Sequence, residues 1–225
     1  LNLKKGEILG LYGLVGAGRT ELVKCLIGLE KIIEGDVIIN GKKTAIDSPK
    51  SALEKFKIGY ISEDRKKEGL ILIHNVLDNT SITVWSQIKK AAGLVTDGMI
   101  ANKVDPYIRK LEVKTPSKYQ IVSNLSGGNQ QKISVAKWLA AGTDILIIDE
   151  PTVGIDIKTK AYLHELILNL ADNGTSIILI SSDMPEMISL ADRIVVMKDF
   201  KVNGIVENDR DYDVVSSKIM EFIHS

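Results

Sequence analysis

Short aliphatic runs alternate with longer helical patterns along this chain, and this alternation limits the folds open to it. The aliphatic runs lie at residues 8–12, 37–39, 58–61, 145–148, 177–180 and 194–197. Several of them lack polar residues at alternate positions, as strands buried on both faces do. Helical patterns lie between them at residues 20–29, 128–141, 157–172 and 185–191. The alternation predicts an α/β fold with a mostly parallel sheet that is covered by helices on both sides.

The pattern changes between residues 70 and 124, where helix-like stretches at 76–92 and 97–111 occur without a strong strand. We therefore expect an inserted helical subdomain at residues 71–124, leading into the glycine motif described below. The α/β core, with a C-terminal tail, would consist of residues 1–70 and 125–225. The tail after Asp199 predicts a hairpin and a last helix at residues 214–223.

Composition excludes several classes of protein. The chain has 225 residues, of which 44% are hydrophobic and 26% charged, so it is long enough and apolar enough to bury a core. Lys+Arg and Asp+Glu balance at 29 each, so no overall positive field points to nucleic acid. No apolar run approaches the roughly 20 residues of a membrane span. The chain begins at Leu1 and enters an apolar run at once, so we expect it to be part of a longer protein.

A glycine-rich loop follows the first predicted strand and opens the first predicted helix. Its residues are Gly13, Leu14, Val15, Gly16, Ala17, Gly18, Arg19 and Thr20. The spacing fits the phosphate-binding pattern G-x-x-x-x-G-K-[ST], except that Arg19 stands in place of lysine. The glycines let the backbone wrap phosphate oxygens, and the Thr20 hydroxyl is a ligand for Mg²⁺. The alternative is an ordinary glycine-rich turn between a strand and a helix.

Two adjacent carboxylates, Asp149 and Glu150, follow the aliphatic run at residues 145–148. At the end of a buried strand, such a pair needs a cation or a catalytic role. Asp149 is expected to hold Mg²⁺, and Glu150 is expected to polarise an attacking water. A pair that is merely exposed at a strand end is the alternative.

A second glycine motif, Leu125-Ser126-Gly127-Gly128, opens a helix-forming run. Unpaired N–H groups at the start of a helix attract anions, and the glycines allow a ligand close to the backbone. An ordinary N-capped helix is the alternative.

Other candidate sites are weaker. Residues 102–105 match the guanine-reading pattern N-K-x-D, but they lie before Pro106 in the predicted helical region, not after a strand. The charged residues 63–68 are typical of a solvated loop, which could also contact a partner. The three histidines, His74, His164 and His224, have no carboxylate or cysteine at ligand spacing, so the sequence predicts no metal cluster.

At these motifs the chain resembles the nucleotide-binding domains of ABC transporters over nearly its whole length. Residues 13–20 look like the Walker A loop, residues 145–149 like the Walker B strand, and residues 125–130 like the ABC signature. Gly154-Ile155-Asp156 matches the D-loop. The signature discriminates this family from other P-loop ATPases. The resemblance implies a P-loop NTPase fold with an inserted helical subdomain, and ATP and Mg²⁺ as cofactors.

The segments at residues 13–21, 59–66, 125–132 and 181–186 resemble one subgroup more narrowly. They look like the second ATPase domain of the double-domain proteins that energise ribose, galactose and xylose importers; a nucleoside importer would look much the same. This resemblance implies a partner ATPase domain fused upstream, transmembrane permease subunits, and a sugar-binding protein outside the cell. It also implies a peripheral position on the cytoplasmic face of the membrane, with no nucleic acid partner.

Three residues depart from the family pattern: Arg19 at the Walker lysine, Glu63 at the Q-loop glutamine, and Ser182 at the switch histidine. All three predict a weakened local site, in which Glu150 and Ser182 occupy the catalytic positions. ABC domains work as head-to-tail pairs in which each ATP lies between one domain's Walker loops and the other domain's signature. We therefore expect this chain to lend the following residues to its partner's ATP site: Ser126, Gly127, Gly128 and Gln130.

Two alternatives from other classes remain. One is a scaffold that hydrolyses nothing and closes when ATP binds at the partner's site. The other is an ABC ATPase of DNA repair or translation, which the balanced charge and the lack of a heptad run between the two glycine motifs disfavour.

Overall fold

The structure is a computed structural model that describes residues 1–88 and 95–225. The strands in this part of the chain are β1 (Ile8–Gly13), β2 (Val37–Ile39), β3 (Lys42–Thr44), β4 (Ile58–Ile61), β5 (Ile145–Asp149), β6 (Ser176–Ile180), β7 (Arg193–Lys198) and β8 (Lys201–Glu207). The α-helices are α1 (Arg19–Leu26), α2 (Pro49–Phe56), α3 (Val76–Ser81), α4 (Trp85–Ile88), α5 (Asp97–Lys110), α6 (Gly127–Ala141), α7 (Ile157–Asp172), α8 (Met184–Leu190) and α9 (Tyr212–His224). A π-helix spans Arg65–Gly69 and a 3-10 helix spans Val122–Asn124.

Six strands form one sheet in the order β4-β5-β6-β1-β7-β8. The pairs β5–β6, β1–β6 and β1–β7 are parallel, and β8 pairs antiparallel with β7 at one edge. In the register of the central pairs, Leu9 faces Ile178 and Ile147 also faces Ile178. The sheet confirms the predicted mostly parallel α/β fold. A hairpin was predicted after Asp199, but only its second strand, β8, follows that residue, and its first strand is β7.

Residues 37–39 form a strand as predicted, but this strand is not part of the parallel sheet. β2 pairs antiparallel with β3 in a separate two-stranded sheet. The two residues between them, Asn40 and Gly41, both have positive φ, at 51° and 75°. This is the backbone of a tight hairpin turn, whose twist matches that of the strands it joins.

The chain divides into two compact units. The first unit consists of Leu1–Tyr60, Asp144–Glu150 and Ala161–Ser225, and the second of Ile61–Thr143 and Pro151–Lys160. These units differ from the predicted domain bounds in that residues 61–70, α6 and residues 151–160 belong to the second unit. The division of the chain into functional domains at residues 71–124 stays a prediction.

One core cluster of the first unit joins aliphatic side chains of the sheet to side chains of α1 and α2. Its most buried members include Leu9, Leu11, Val23, Ile147 and Val195, each at most 1% exposed. Burial of one such side chain contributes about 1.5–3 kcal/mol to folding. This packing fixes the carboxyl ends of β1 and β5, where the predicted site residues follow.

The second unit is built mainly from α3, α5 and α6. Leu70, Val76, Val122 and Ile133 are buried in its core. The helical stretch predicted at residues 76–92 is split into α3 and α4, and its last residues, 89–92, lie outside the described residues. Residues 102–105 lie within α5, not at the end of a strand. Among the described residues, no helix is both long and apolar enough to span a membrane.

Candidate functional site

The glycine-rich loop leaves β1 at Gly13 and enters α1 at Arg19. Gly16 and Gly18 have φ angles of 84° and 94°, a left-handed conformation that side chains with a Cβ rarely adopt. No atom would lie within 4 Å of a Cβ added to Gly16, whereas one added to Gly18 would meet the Phe200 ring. Gly16 and Gly18 therefore provide the backbone conformation that this turn requires. Val15, at the tip of the loop, is 95% exposed.

Thr20 meets Asp149 at the start of α1. The Thr20 hydroxyl donates to Asp149 Oδ2 at 3.0 Å, and the Tyr60 hydroxyl donates to the same oxygen at 3.2 Å. Asp149 is 1% exposed, and a carboxylate at this depth needs such donors or a cation. The first unit thus brings the two predicted Mg²⁺ ligands into direct contact.

Glu150 lies next to this pair with an unusual backbone. Its φ is 48°, a left-handed value that costs about 1–3 kcal/mol in a residue other than glycine and clusters at functional sites. The Ser182 hydroxyl donates to Glu150 Oε2 at 3.2 Å, and Arg19 Nη1 lies 3.7 Å from Oε1. Arg19 Nη1 also donates to the Ser181 carbonyl at 3.3 Å. The predicted catalytic residues and Arg19 therefore form one cluster.

The oxygens of Thr20 and Asp149 fit a magnesium site. Mg²⁺ prefers hard oxygen ligands and completes its shell with waters and substrate phosphates, so one or two protein oxygens suffice. No group of three or more His, Cys, Asp or Glu suited to a metal occurs in residues 1–88 and 95–225. Thr20 and Asp149 therefore suit a cation whose remaining ligands are waters and phosphate oxygens.

The second glycine motif lies in the second unit. Ser126 is the N-cap of α6, and its hydroxyl accepts from the backbone N–H of Asn129 at 3.4 Å. A Cβ added to Gly127 would lie 2.8 Å from Arg65 Nη2, and one added to Gly128 would lie 2.7 Å from Thr159 Oγ1. A side chain at Gly128 would therefore press on the short Thr159 side chain, whereas one at Gly127 would displace only the flexible end of Arg65.

Two further predicted ligand residues, Gln130 and Glu63, lie in the second unit, and their role at an ATP site stays a prediction. Gln130 is 5% exposed, and its Nε2 donates to the carbonyls of Val122 and Leu125 at 3.2 and 3.1 Å. Its amide therefore fixes the turn before α6 and does not face solvent. Glu63 is exposed, and its carbonyl accepts from Arg65 N–H at 3.0 Å.

Sequence reasoning missed Tyr60 and Arg65. Tyr60 ends up beside Asp149 because β4 neighbours β5 in the sheet, and the order of strands was not deduced from the sequence. Arg65 Nη1 donates to the Val153 carbonyl at 3.1 Å, so it joins the charged segment to the residues after the two carboxylates. Both residues lie in the segment at 59–66 that carries the subgroup resemblance, but charged residues at 63–68 are typical of a solvated loop and neither residue was singled out.

Comparison with known proteins supports the resemblance. A family model described as ABC transporter matches residues 1–153. The chain is 46% identical over 220 residues to the ribose import ATP-binding protein RbsA of Clostridium tetani, which covers 98% of this chain and 43% of that protein. It is 43% identical over 204 residues to the arabinose import ATP-binding protein AraG of Pectobacterium atrosepticum, covering 91% of this chain and 40% of that protein. The chain thus spans less than half the length of these curated relatives.

Solved structures share the fold. The dimeric ATP-binding cassette MJ0796, in a post-hydrolysis state bound to ADP and Pi, matches with a TM-score of 0.78 at 25% identity, over 92% of this chain and 88% of that one. The cassette MJ1267 in its ADP conformation matches with a TM-score of 0.80 at 18% identity, over 99% and 89%. The second likeness concerns the fold alone, and together they confirm the predicted fold class.

Proposed function

Because the chain belongs to the ABC transporter family, we propose that it is an ATP-binding domain that energises import of a simple sugar across the cytoplasmic membrane. The observation that carries this proposal is the contact between Thr20 and Asp149 directly after a glycine-rich loop, with Glu150 beside it. The names of the relatives, which are ribose and arabinose import ATP-binding proteins, favour a sugar as the transported solute.

In this proposal the first unit binds the phosphates of ATP. Backbone N–H groups of residues 13–20 and the start of α1 donate to phosphate oxygens, and Thr20 and Asp149 hold the Mg²⁺ that accompanies the nucleotide. The cation neutralises phosphate charge when bound. Glu150 accepts the proton of an attacking water, and Ser182 keeps the carboxylate in place through its hydroxyl.

We infer that hydrolysis at this local site is weak. Arg19 provides a bulkier, planar cation where a compact ammonium is usual, and its contact with Glu150 neutralises part of the charge of the base. Ser182 has no imidazole with which to bind the γ-phosphate. The stronger role of this chain is then to present Ser126, Gly127 and Gly128 to an ATP bound by a partner domain, while Gln130 supports the turn behind them.

The partners follow from the same pairing. A second ATPase domain would supply the other half of each ATP site, and the subgroup resemblance favours its fusion upstream in the same polypeptide. Transmembrane permease subunits would receive the movement of the closing pair, and a sugar-binding protein would deliver the solute. The chain would then act from the cytoplasmic face of the membrane.

The test is MgATP turnover by the complete transporter, with substitutions confined to this domain. We expect Gly127→Asp to abolish turnover, because a carboxylate at the start of α6 repels the phosphates of the partner's nucleotide. We expect Glu150→Gln to spare most of the turnover. Matched controls are Gly98→Asp, at an exposed helical glycine with nothing within 4 Å of an added Cβ, and Glu54→Gln, at an exposed glutamate on α2.

Two results would contradict the proposal. If Glu150→Gln alone abolishes turnover, the local site hydrolyses ATP and the asymmetry between the two sites is wrong. If nucleotide titration finds no binding to this domain in the complete transporter, the domain is a scaffold that closes on its partner's ATP.

A further inference from the structure

A buried carboxylate connects a surface histidine to the candidate site. His164 on α7 has its Nε2 2.6 Å from Glu186 Oε1, and Glu186 lies on α8. The Ser181 hydroxyl donates to the other oxygen, Glu186 Oε2, at 2.6 Å. In the tautomer that pairs with an ionised Glu186, the Nε2 of His164 carries the hydrogen in this contact. All three residues belong to the first unit.

The same serine belongs to the segment that contacts Arg19 and Glu150. The Ser181 carbonyl accepts from Arg19, and the next residue, Ser182, donates to Glu150. The backbone N–H of Asp183 donates to Ser181 Oγ at 3.1 Å, so this hydroxyl is held from both sides. The position of residues 181–182 therefore depends on Glu186.

Burial makes this dependence strong. The side chain of Glu186 is fully buried and Ser181 is 0% exposed, so no water replaces a lost partner cheaply. His164 is 21% exposed on its side chain and is the member of the chain of contacts that reaches the surface. A charge-assisted bond of this length is among the stronger contacts a side chain makes.

We propose that His164, Glu186 and Ser181 form a positioning relay that fixes residues 181–182 against Arg19 and Glu150, and so couples nucleotide binding in the glycine loop to the outer face of α7. The inference rests on the proposed function, because it requires that ATP binds at Arg19. His164 is a positioning residue in this scheme, since it acts through Glu186 and touches no substrate.

The first measurement is an NMR spectrum of the imidazole signals of the histidines. The chain has three histidines, and His74→Gln and His224→Gln assign two of the signals. We expect MgATP to shift the His164 signals. We expect this shift to be absent in Ser181→Ala, although that variant keeps the His164 side chain. A merely structural histidine would give the same response to MgATP in both proteins.

The second measurement is the affinity for MgATP, followed with a fluorescent ATP analogue. We expect His164→Leu to weaken binding by about tenfold, because the buried carboxylate loses a charge-assisted partner. His164→Gln restores an N–H donor and should bind within about threefold of the original chain. His224→Leu, at an exposed residue of α9, is the matched control and should change nothing.

The outcomes separate the relay from the proposed function. If MgATP binds but the His164 signals do not move, or if His164→Leu binds as tightly as the original chain, the relay is overturned and the nucleotide site stands. If MgATP does not bind at all, the local nucleotide site fails and the relay fails with it. If His164→Leu does not fold, the Ser181→Ala spectrum decides.

Discussion

At the scale of single residues, Arg19 touches the two groups that control the local site. Its Nη1 donates to the Ser181 carbonyl and lies 3.7 Å from Glu150, and its side chain is 10% exposed. A guanidinium in this position can bind a phosphate of the nucleotide, or it can contact only Ser181 and Glu150. Changing its charge and its shape separately distinguishes the two roles.

We predict that Arg19→Gln, which removes the charge but keeps an N–H donor, weakens MgATP binding by about tenfold or more, because a hydrogen bond from a charged group is lost next to the Glu150 carboxylate. Arg19→Lys should bind within about threefold of the original chain, since it keeps the charge. It should also raise local turnover. Isothermal titration measures the affinities, and single-turnover hydrolysis measures the rate. Unchanged affinity in Arg19→Gln would mean that the guanidinium serves only Glu150 and Ser181.

The sequence predicted those site residues that belong to a short motif. It missed those that only tertiary packing brings to the site. Thr20 and Asp149 meet although they are far apart in sequence, because each follows a parallel strand whose carboxyl end lies at the same edge of the sheet. The contact of His164 with Glu186 depends instead on the tertiary approach of α7 to α8. No local pattern encodes that packing, so the histidine looked isolated.

At the scale of elements, a buried lysine joins α6 to the π-helix. Lys137 is 7% exposed, and its Nζ donates to the Gly69 carbonyl at 2.6 Å and lies 5.1 Å from the centroid of the Trp138 ring. Burial lowers the pKa of Lys137 from its usual 10.5 to about 8. The charged form is therefore less stable in the folded protein than in the unfolded chain.

This shift predicts a rise of stability with pH. Below about pH 8 Lys137 is protonated in both the folded and the unfolded chain, so the free-energy cost of burying its charge does not change with pH. Between about pH 8 and 10.5 the unfolded chain binds more protons at Lys137 than the folded chain does. The free energy of unfolding should rise by roughly 2–3 kcal/mol from about pH 7 to about pH 10 through this group alone. Lys137→Met should lack that increment, while Lys158→Met, at an exposed lysine, should keep it.

Urea unfolding at both pH values checks this prediction as a difference between the original chain and the variant. Burial also raises the pKa of Tyr12 and of Cys25, which titrate in the same range but cancel in the difference. Equal pH dependence in the original chain and in Lys137→Met would show that Lys137 does not change its proton affinity on folding.

The elements that the sequence did not resolve are short or atypical. The strands of the parallel sheet were predictable because continuous aliphatic runs mark burial on both faces. Val37–Ile39 reads the same way, and only the following Asn40-Gly41 indicates a hairpin. The helix at Pro49–Phe56 had its own start signal, Ser48 as N-cap before a proline. The π-helix at Arg65–Gly69 has no such signal, because its charged residues show no hydrophobic period.

At the scale of the whole molecule, the two glycine motifs belong to different compact units. The glycine-rich loop, Asp149, Glu150 and Ser182 lie in the first unit, and Ser126 to Gly128 lie in the second. In the proposed pairing these two sets of residues meet different ATP molecules. Ligand binding should therefore slow backbone hydrogen exchange in one set without affecting the other.

We predict that MgATP added to the monomeric chain slows amide exchange at residues 13–20 by about tenfold when ATP exceeds its dissociation constant about tenfold, because bound ligand suppresses local opening. The amides of residues 126–129 should slow only in the complete transporter, when the partner's site is filled. Mass spectrometry at a protein concentration where size-exclusion chromatography shows a monomer makes the comparison.

A complete transporter whose partner loop cannot bind ATP is the control and should leave residues 126–129 unprotected. Protection of those residues by MgATP in the monomer would mean that one chain builds a whole site by itself, and the head-to-tail pairing would then be wrong for this protein.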